Sequence, residues 1–253
     1  MEIILLTLGL SLGSFLNVLI DRSPKNESAI RGRSHCDFCR HKLKWYDLIP
    51  LLSFILLRRK CRYCKSLISW QYPAVEAATA LLFIFTLSVV RFDPTKLYIF
   101  LYHLALFSGL LVIFVTDLKY RIIPDNTLIF LVSLTLIYKI LYFPEFLLSS
   151  FITGIVIFLF FLLLVIVTFG RGMGMGDVKY AFFMGFLLDY PKIAIAFYLS
   201  FLTGALLSLI LVLNGRKSMK STIAFGPFMV VATFISYIYG LQLWVIFKRL
   251  VGI

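Results

Sequence analysis

The chain has 253 residues, of which 61% are hydrophobic and 15% charged, with a mean hydropathy of +0.97. Lys and Arg number 25 against 12 Asp and Glu, a formal net charge of +13. Against roughly 45–50% apolar and about 25% charged in ordinary globular chains, this excludes a disordered chain, a coiled coil, a collagen-like fibre and a secreted disulfide scaffold; a soluble nucleic-acid binder is disfavoured too, because little soluble chain is left to carry the cations.

Crossing ~30 Å of hydrocarbon takes about 20 apolar residues. In chain order, residues 3–20, 73–90, 97–116, 126–143, 147–169, 193–213 and 223–247 meet that length, and the shorter run 178–189 offers an eighth. The expected fold is an all-α polytopic membrane protein with about eight transmembrane helices. The run 3–20 has no Lys or Arg ahead of it and no small-residue cleavage site behind it. It is therefore expected to be a retained first helix rather than a processed leader.

The segment 21–72 separates the first two spans and holds 12 of the 25 basic residues, among them Arg31, Arg58, Arg59, Lys60, Arg62 and Lys65. The positive-inside rule makes it cytoplasmic and puts the N-terminus outside. The following loops then alternate: 91–96 outside, 117–125 inside, 144–146 outside and 170–177 inside. Charge does not decide whether 178–189 crosses, since 19 basic residues fall inside either way. Within the basic loop, Leu48–Leu57 is too short to cross and contains Pro50, so it is expected to be interfacial or packed on other helices.

All four cysteines lie in this loop as Cys36-Asp-Phe-Cys39 and Cys61-Arg-Tyr-Cys64, with 21 residues between the pairs. Each CxxC knuckle offers two thiolates to a tetrahedral Zn²⁺ at about 2.3 Å, while a reducing cytosol disfavours disulfides. Four protein ligands leave no open position for water, so the zinc is expected to be structural and to fold a zinc-ribbon-like loop. His35 and His41 flank the first pair as substitute ligands or as solvated loop histidines.

Two aspartates stand at the membrane edge, where an ionisable residue is costly and is by default a functional candidate. Asp117 follows the run 97–116, in Thr-Asp-Leu-Lys-Tyr-Arg-Ile-Ile-Pro-Asp125. Asp177 closes the glycine-rich run from Gly170 and opens the short run 178–189. The topology places both on the same side. Two close carboxylates cannot both ionise easily, so one keeps a proton while the other activates water, as in an aspartic peptidase. Against this stand two bland roles: helix capping, or pairing with Lys119 and Lys179, each two residues on. The glycine run is no dinucleotide site, having no preceding strand. A transporter or channel with helix-breaking glycines and acids along its pathway is the alternative function.

Taken together and in order, these residues resemble the type IV prepilin peptidases. The resemblance rests on Gly13-Ser-Phe-Leu-Asn-Val18 with Asp21-Arg-Ser-Pro24, the paired CxxC with Trp45-Tyr-Asp47 through Ser53 between them, Ile68-Ser69, and Tyr72-Pro-Ala-Val-Glu76. It continues through Asp117 with Ile123-Pro-Asp125, Gly174-Met-Gly-Asp177 with Lys179, and Phe225-Gly-Pro-Phe228, so it covers nearly the whole chain. The resemblance implies a hydrolase of the cytoplasmic (inner) membrane, its active site facing the cytoplasm. Asp117 and Asp177 would be the catalytic pair that cuts the leader after a glycine from prepilins or pseudopilins, which carry a basic leader and an apolar helix. It also implies N-methylation of the new N-terminus with S-adenosylmethionine, an activity associated with the cysteine-bearing loop. The lipid bilayer is the other partner, and no nucleic acid is expected. The implied organisation is a first helix over 1–20, a zinc-binding, methyltransferase-associated loop over 21–72 and a transmembrane peptidase core over 73–253. No methyl-donor fingerprint is visible; Glu76, the only acid in its helix, is either a participant or a buried structural acid. Three loop positions depart from the family's pattern: Asp37 replaces a common proline, and Arg59 and Lys65 stand where glycines are common.

Overall fold

A backbone in hydrocarbon must satisfy its own donors and acceptors, and a helix does so within one segment. In the computed structural model, which describes residues 2–25, 27–28, 32–90, 96–170, 172–214 and 224–252, the chain is helical along most of its length and contains no strand among these residues. Arg31, most of the loop 91–96, Arg171, and the basic residues Arg216, Lys217 and Lys220 lie outside the described residues. The helices are α1 (Glu2–Arg22), α2 (Leu52–Leu56), α3 (Gln71–Val90), α4 (Leu97–Tyr120), α5 (Asp125–Tyr142), α6 (Leu147–Val167), α7 (Met175–Leu188), α8 (Lys192–Leu213) and α9 (Gly226–Val251). Seven of them are long and apolar enough to cross a membrane: α1, α3, α4, α5, α6, α8 and α9.

The chain divides into two compact units, Met1–Val112 and Ile113–Ile253. In the first, α1 and α3 pack side by side. Polar side chains fasten them at the loop end: Asn17 Nδ2 donates to the Tyr72 carbonyl (3.1 Å), and Gln71 Nε2 donates to Asn17 Oδ1 and Asp21 Oδ1 (both 3.3 Å). At the other end Phe83 of α3 is buried with Phe100 and Leu104 of α4.

In the second unit α7 is the hub. Its residues Val178, Tyr180, Ala181, Phe183 and Met184 are wholly buried. It crosses α6 where Gly185 meets Gly154 so closely that a Cβ on Gly185 would lie 2.9 Å from the Gly154 Cα, the small-residue contact by which membrane helices approach. On another side the Tyr180 hydroxyl donates to Thr233 Oγ1 of α9 (3.1 Å).

Salt bridges at both ends tie α7 to α5. Near the start of both helices, Lys179 Nζ donates to both Asp125 oxygens (2.8 and 2.9 Å). Near their ends, Lys139 Nζ donates to Asp189 Oδ2 (2.5 Å) and to Ser150 Oγ (2.6 Å) of α6. Although only 14 residues long, α7 therefore runs beside α5 from end to end; it is shorter than the seven helices long enough to cross a membrane.

Candidate active site and metal centre

The helix that carries Asp117 extends one turn beyond the apolar run read from sequence, to Tyr120. Asp117 thus sits in the last turn of α4, and the chain turns sharply after it at Arg121 (φ 56°). Ile123 then packs against Gly176, where a Cβ would meet the Ile123 Cβ at 3.4 Å. This contact and the Lys179–Asp125 bridge bring the segment after Asp117 to the start of α7. There Asp177 occupies the third helical position and reaches back to accept the Gly174 N–H (3.0 Å), satisfying one of the helix's unpaired N-terminal donors. The fold brings the two carboxylates within electrostatic range of one another.

Asp117 is 5% exposed, and its Oδ2 is buried with no hydrogen-bond partner among the described residues. The start of α9 closes on it. A Cβ built on Gly226 would lie 2.5 Å from that Oδ2 and 2.9 Å from the Asp117 Cγ, so any larger residue there would have to displace the Asp117 carboxylate. Buried polar atoms are nearly always hydrogen-bonded; an orphaned carboxylate oxygen at a helix end is suited to receive a water or a substrate group. Of the cations weighed against the catalytic reading, Lys179 spends its ammonium on Asp125 rather than on Asp177, and Lys119 lies over the Tyr120 ring, 4.8 Å from its centre.

In the first unit the four cysteines come together, their Sγ atoms all within 4.8 Å of one another. Two hairpin-like knuckles hold them. In the first, the Cys36 N–H donates to the His41 carbonyl (3.0 Å) and the Arg40 N–H to the Cys36 carbonyl (2.9 Å). In the second, the Cys61 N–H donates to Ser66 (2.8 Å) and the Lys65 N–H to Cys61 (3.0 Å). Arg40 (φ 56°) and Lys65 (φ 59°), the residues after each pair, are left-handed, and so is Arg59 (φ 61°). The family's glycines at the positions of Arg59 and Lys65 would adopt this conformation without strain.

The cluster fits a metal. A tetrahedron with ~2.3 Å Zn–S bonds has edges of about 3.8 Å, and Cys36 Sγ lies 3.8 Å from Cys64 Sγ. The hydroxyl of Ser66 lies 3.0 Å from Cys64 Sγ. Among the described residues neither flanking histidine belongs to the cluster: His41 packs on the Tyr63 ring (3.7 Å between centres), and His35 Nδ1 faces the Arg33 carbonyl (3.4 Å).

Sequence reasoning missed two braces of this loop. Buried Asp47 receives Arg62 Nε (2.7 Å), the Lys44 N–H (3.2 Å) and the Tyr63 hydroxyl (3.3 Å), so it joins the segment between the pairs to the second knuckle. Burial alone would raise its carboxyl, but the Arg62 guanidinium and the Lys44 amide hold it below the ordinary carboxylate range. Asp37, the proline's replacement, lies 3.1 Å from the Tyr72 hydroxyl and ties the first knuckle to α3. Glu76 is buried and accepts the Leu51 N–H (2.9 Å). Its carboxylate braces the loop against α3.

The model of the bacterial peptidase A24 N-terminal domain matches residues 7–90, and that of the Type IV leader peptidase family matches residues 104–209. A prepilin leader peptidase/N-methyltransferase of Bacillus subtilis (strain 168) is 35% identical over 238 residues, covering 94% of each chain. Its counterpart in Pseudomonas aeruginosa is 30% identical over 93% of this chain and 89% of its own. One from Myxococcus xanthus is 46% identical over 48% of this chain and 35% of its own. No solved structure matches.

Proposed function

Because this chain belongs to the type IV leader peptidase family, we propose that it is an aspartic endopeptidase embedded in the cytoplasmic membrane. It cleaves the leader from type IV prepilins or pseudopilins at the cytoplasmic face, with Asp117 and Asp177 as the catalytic pair. The reading is carried by one observation: the second unit holds these two carboxylates within electrostatic range of one another, with a buried oxygen on Asp117 that has no hydrogen-bond partner among the described residues. With the basic segment 21–72 inside, the alternation of α3 and α4 turns the Asp117 end of α4 to the cytoplasm. The transporter alternative has no observation in its favour.

The chemistry follows from two acids sharing one proton. The ionised carboxylate takes a proton from water, and the resulting hydroxide attacks the scissile carbonyl carbon. The protonated carboxyl donates a hydrogen bond to the carbonyl oxygen as it becomes tetrahedral. Collapse breaks the C–N bond, the leaving amine takes a proton from the pair, and the products are a free acid and a new N-terminal amine. No covalent enzyme intermediate forms.

The four cysteines hold zinc as a structural cross-link between the two knuckles, with no position left for substrate. The same protein N-methylates the new N-terminus using S-adenosylmethionine, in keeping with the names of its relatives. No residue of this chain is assigned to that step.

Cleavage of a purified prepilin by the reconstituted protein tests the reading. Asp117→Asn and Asp177→Asn should each lower the rate by about 10²–10⁴-fold or more, while both variants insert and fold. Full activity in either variant would remove that residue from the pair. Mass spectrometry of the processed N-terminus reads methylation separately.

A further inference from the structure

Between α1 and α3 one apolar face is left uncovered. On α2, Leu52, Ile55 and Leu56 share one side and are 57%, 67% and 78% exposed, and Trp70, just ahead of α3, is 62% exposed. A loop held in water would gain by burying such side chains. The tether of α2 fixes their depth. The Leu51 N–H, immediately before α2, donates to Glu76, which lies five residues into α3 and so about 7.5 Å along a candidate span that begins at Gln71. The ring of Phe54 packs 5.1 Å from that of Trp70, holding the helix against the same entry point. Exposed Arg58 and Lys60 follow α2 directly.

We propose that α2 and Trp70 form an interfacial anchor that docks the cysteine loop on anionic lipid. Leu52, Ile55, Leu56 and Trp70 enter the boundary between headgroups and acyl chains, and Arg58 and Lys60 bind the negatively charged headgroups above them. The depth matches that of interfacial amphipathic helices, about 5–10 Å into this boundary. Tryptophan favours the same level, and the charge is complementary to an anionic leaflet. The anchor rests on the membrane reading above. It adds a lipid-binding role to a segment otherwise concerned with metal.

Tryptophan quenching of the full-length protein in nanodiscs tests it. With Trp45, Trp70 and Trp244 replaced by phenylalanine, Ile55→Trp reports on α2, and Leu159→Trp, on the exposed middle of α6, reports on embedding. Discs carry lipids brominated near the headgroup or near the chain end, in phosphatidylcholine with or without phosphatidylglycerol. The expected result is quenching of Ile55→Trp by shallow bromines, stronger with phosphatidylglycerol, and of Leu159→Trp by deep bromines. Adding Arg58→Gln or Lys60→Gln should weaken the docking equilibrium about fivefold per charge removed. Quenching of Ile55→Trp by aqueous iodide but not by bromolipid, with Leu159→Trp normal, would overturn the anchor and leave the membrane reading intact. Protection from both quenchers would mean that protein covers the face, which also overturns it. Failure of Leu159→Trp to meet bromolipid would defeat the membrane reading and the anchor together.

Discussion

Gly226 stands so close to Asp117 that a methyl group there would lie 2.5 Å from the carboxylate oxygen. The Phe-Gly-Pro-Phe segment, nearly 110 residues downstream, therefore sets how far the Asp117 side chain can swing. Gly226→Ala should displace the carboxylate and lower cleavage by roughly 100-fold, the order expected when a reacting group is misplaced by about 1 Å. Gly204→Ala, whose added Cβ meets nothing nearer than 3.4 Å, is the control and should retain most activity. Equal rates for the two variants would mean that Gly226 does not position Asp117.

Lys139 is 7% exposed and shares its ammonium between Asp189 and Ser150. Lys139→Met removes the direct ion-pair partner of the partly exposed Asp189, and should destabilise the protein by up to about 3 kcal/mol. The double variant Lys139→Met with Asp189→Asn should recover most of that loss, because no unpaired charge remains. Thermal unfolding in detergent checks both. A double variant no more stable than the single one would show that the ion pair itself, rather than the orphaned charge, matters.

The cysteine loop is too small to build a core, and its knuckles converge at the four sulfurs, with His41 packed on Tyr63 beside them. Chelation or Cys36→Ser should abolish bound zinc, measured by elemental analysis, and expose the 32–70 segment to protease. Residual leader cleavage is expected, since Asp117 and Asp177 belong to the other unit. Complete loss of cleavage would mean that the loop also supports peptidase folding or substrate docking.

Asp47 gives the loop a pH dependence of known sign. Its carboxyl is held below the ordinary value, so its stabilisation is present at neutral pH and is lost as pH falls below about 4. Asp47→Asn should lower the loop's protease resistance at pH 7, by an amount of order 1–3 kcal/mol. The difference from the parent should vanish in acid. A difference that persists unchanged at pH 3 would assign the effect to packing instead of charge.

Much of this was legible from residue order. Apolar runs of about 20 residues cannot be accommodated in water, so length and composition alone fix seven crossings, and CxxC spacing fixes which four sulfurs can meet. Boundaries were less legible. The run 97–116 ends at Asp117, yet α4 continues to Tyr120, because helix ends follow hydrogen bonding and a charged residue in the last turn does not break it.

The partners of charged side chains were not legible at all. Lys179 lies two residues from Asp177 in sequence but binds Asp125, 54 residues away. Asp47, unremarkable as a loop acid, becomes the buried acceptor that joins two parts of the loop. The sequence by itself determined the class, the candidate spans, the four cysteines that cluster and the family likeness, because each rests on local composition or short spacing. The tertiary structure alone decided that α7, at 14 residues, runs the length of α5, and that Gly226 closes on Asp117. Both are contacts between distant segments, and helix packing sets them, through small-residue crossings and buried ion pairs whose partners no local pattern records.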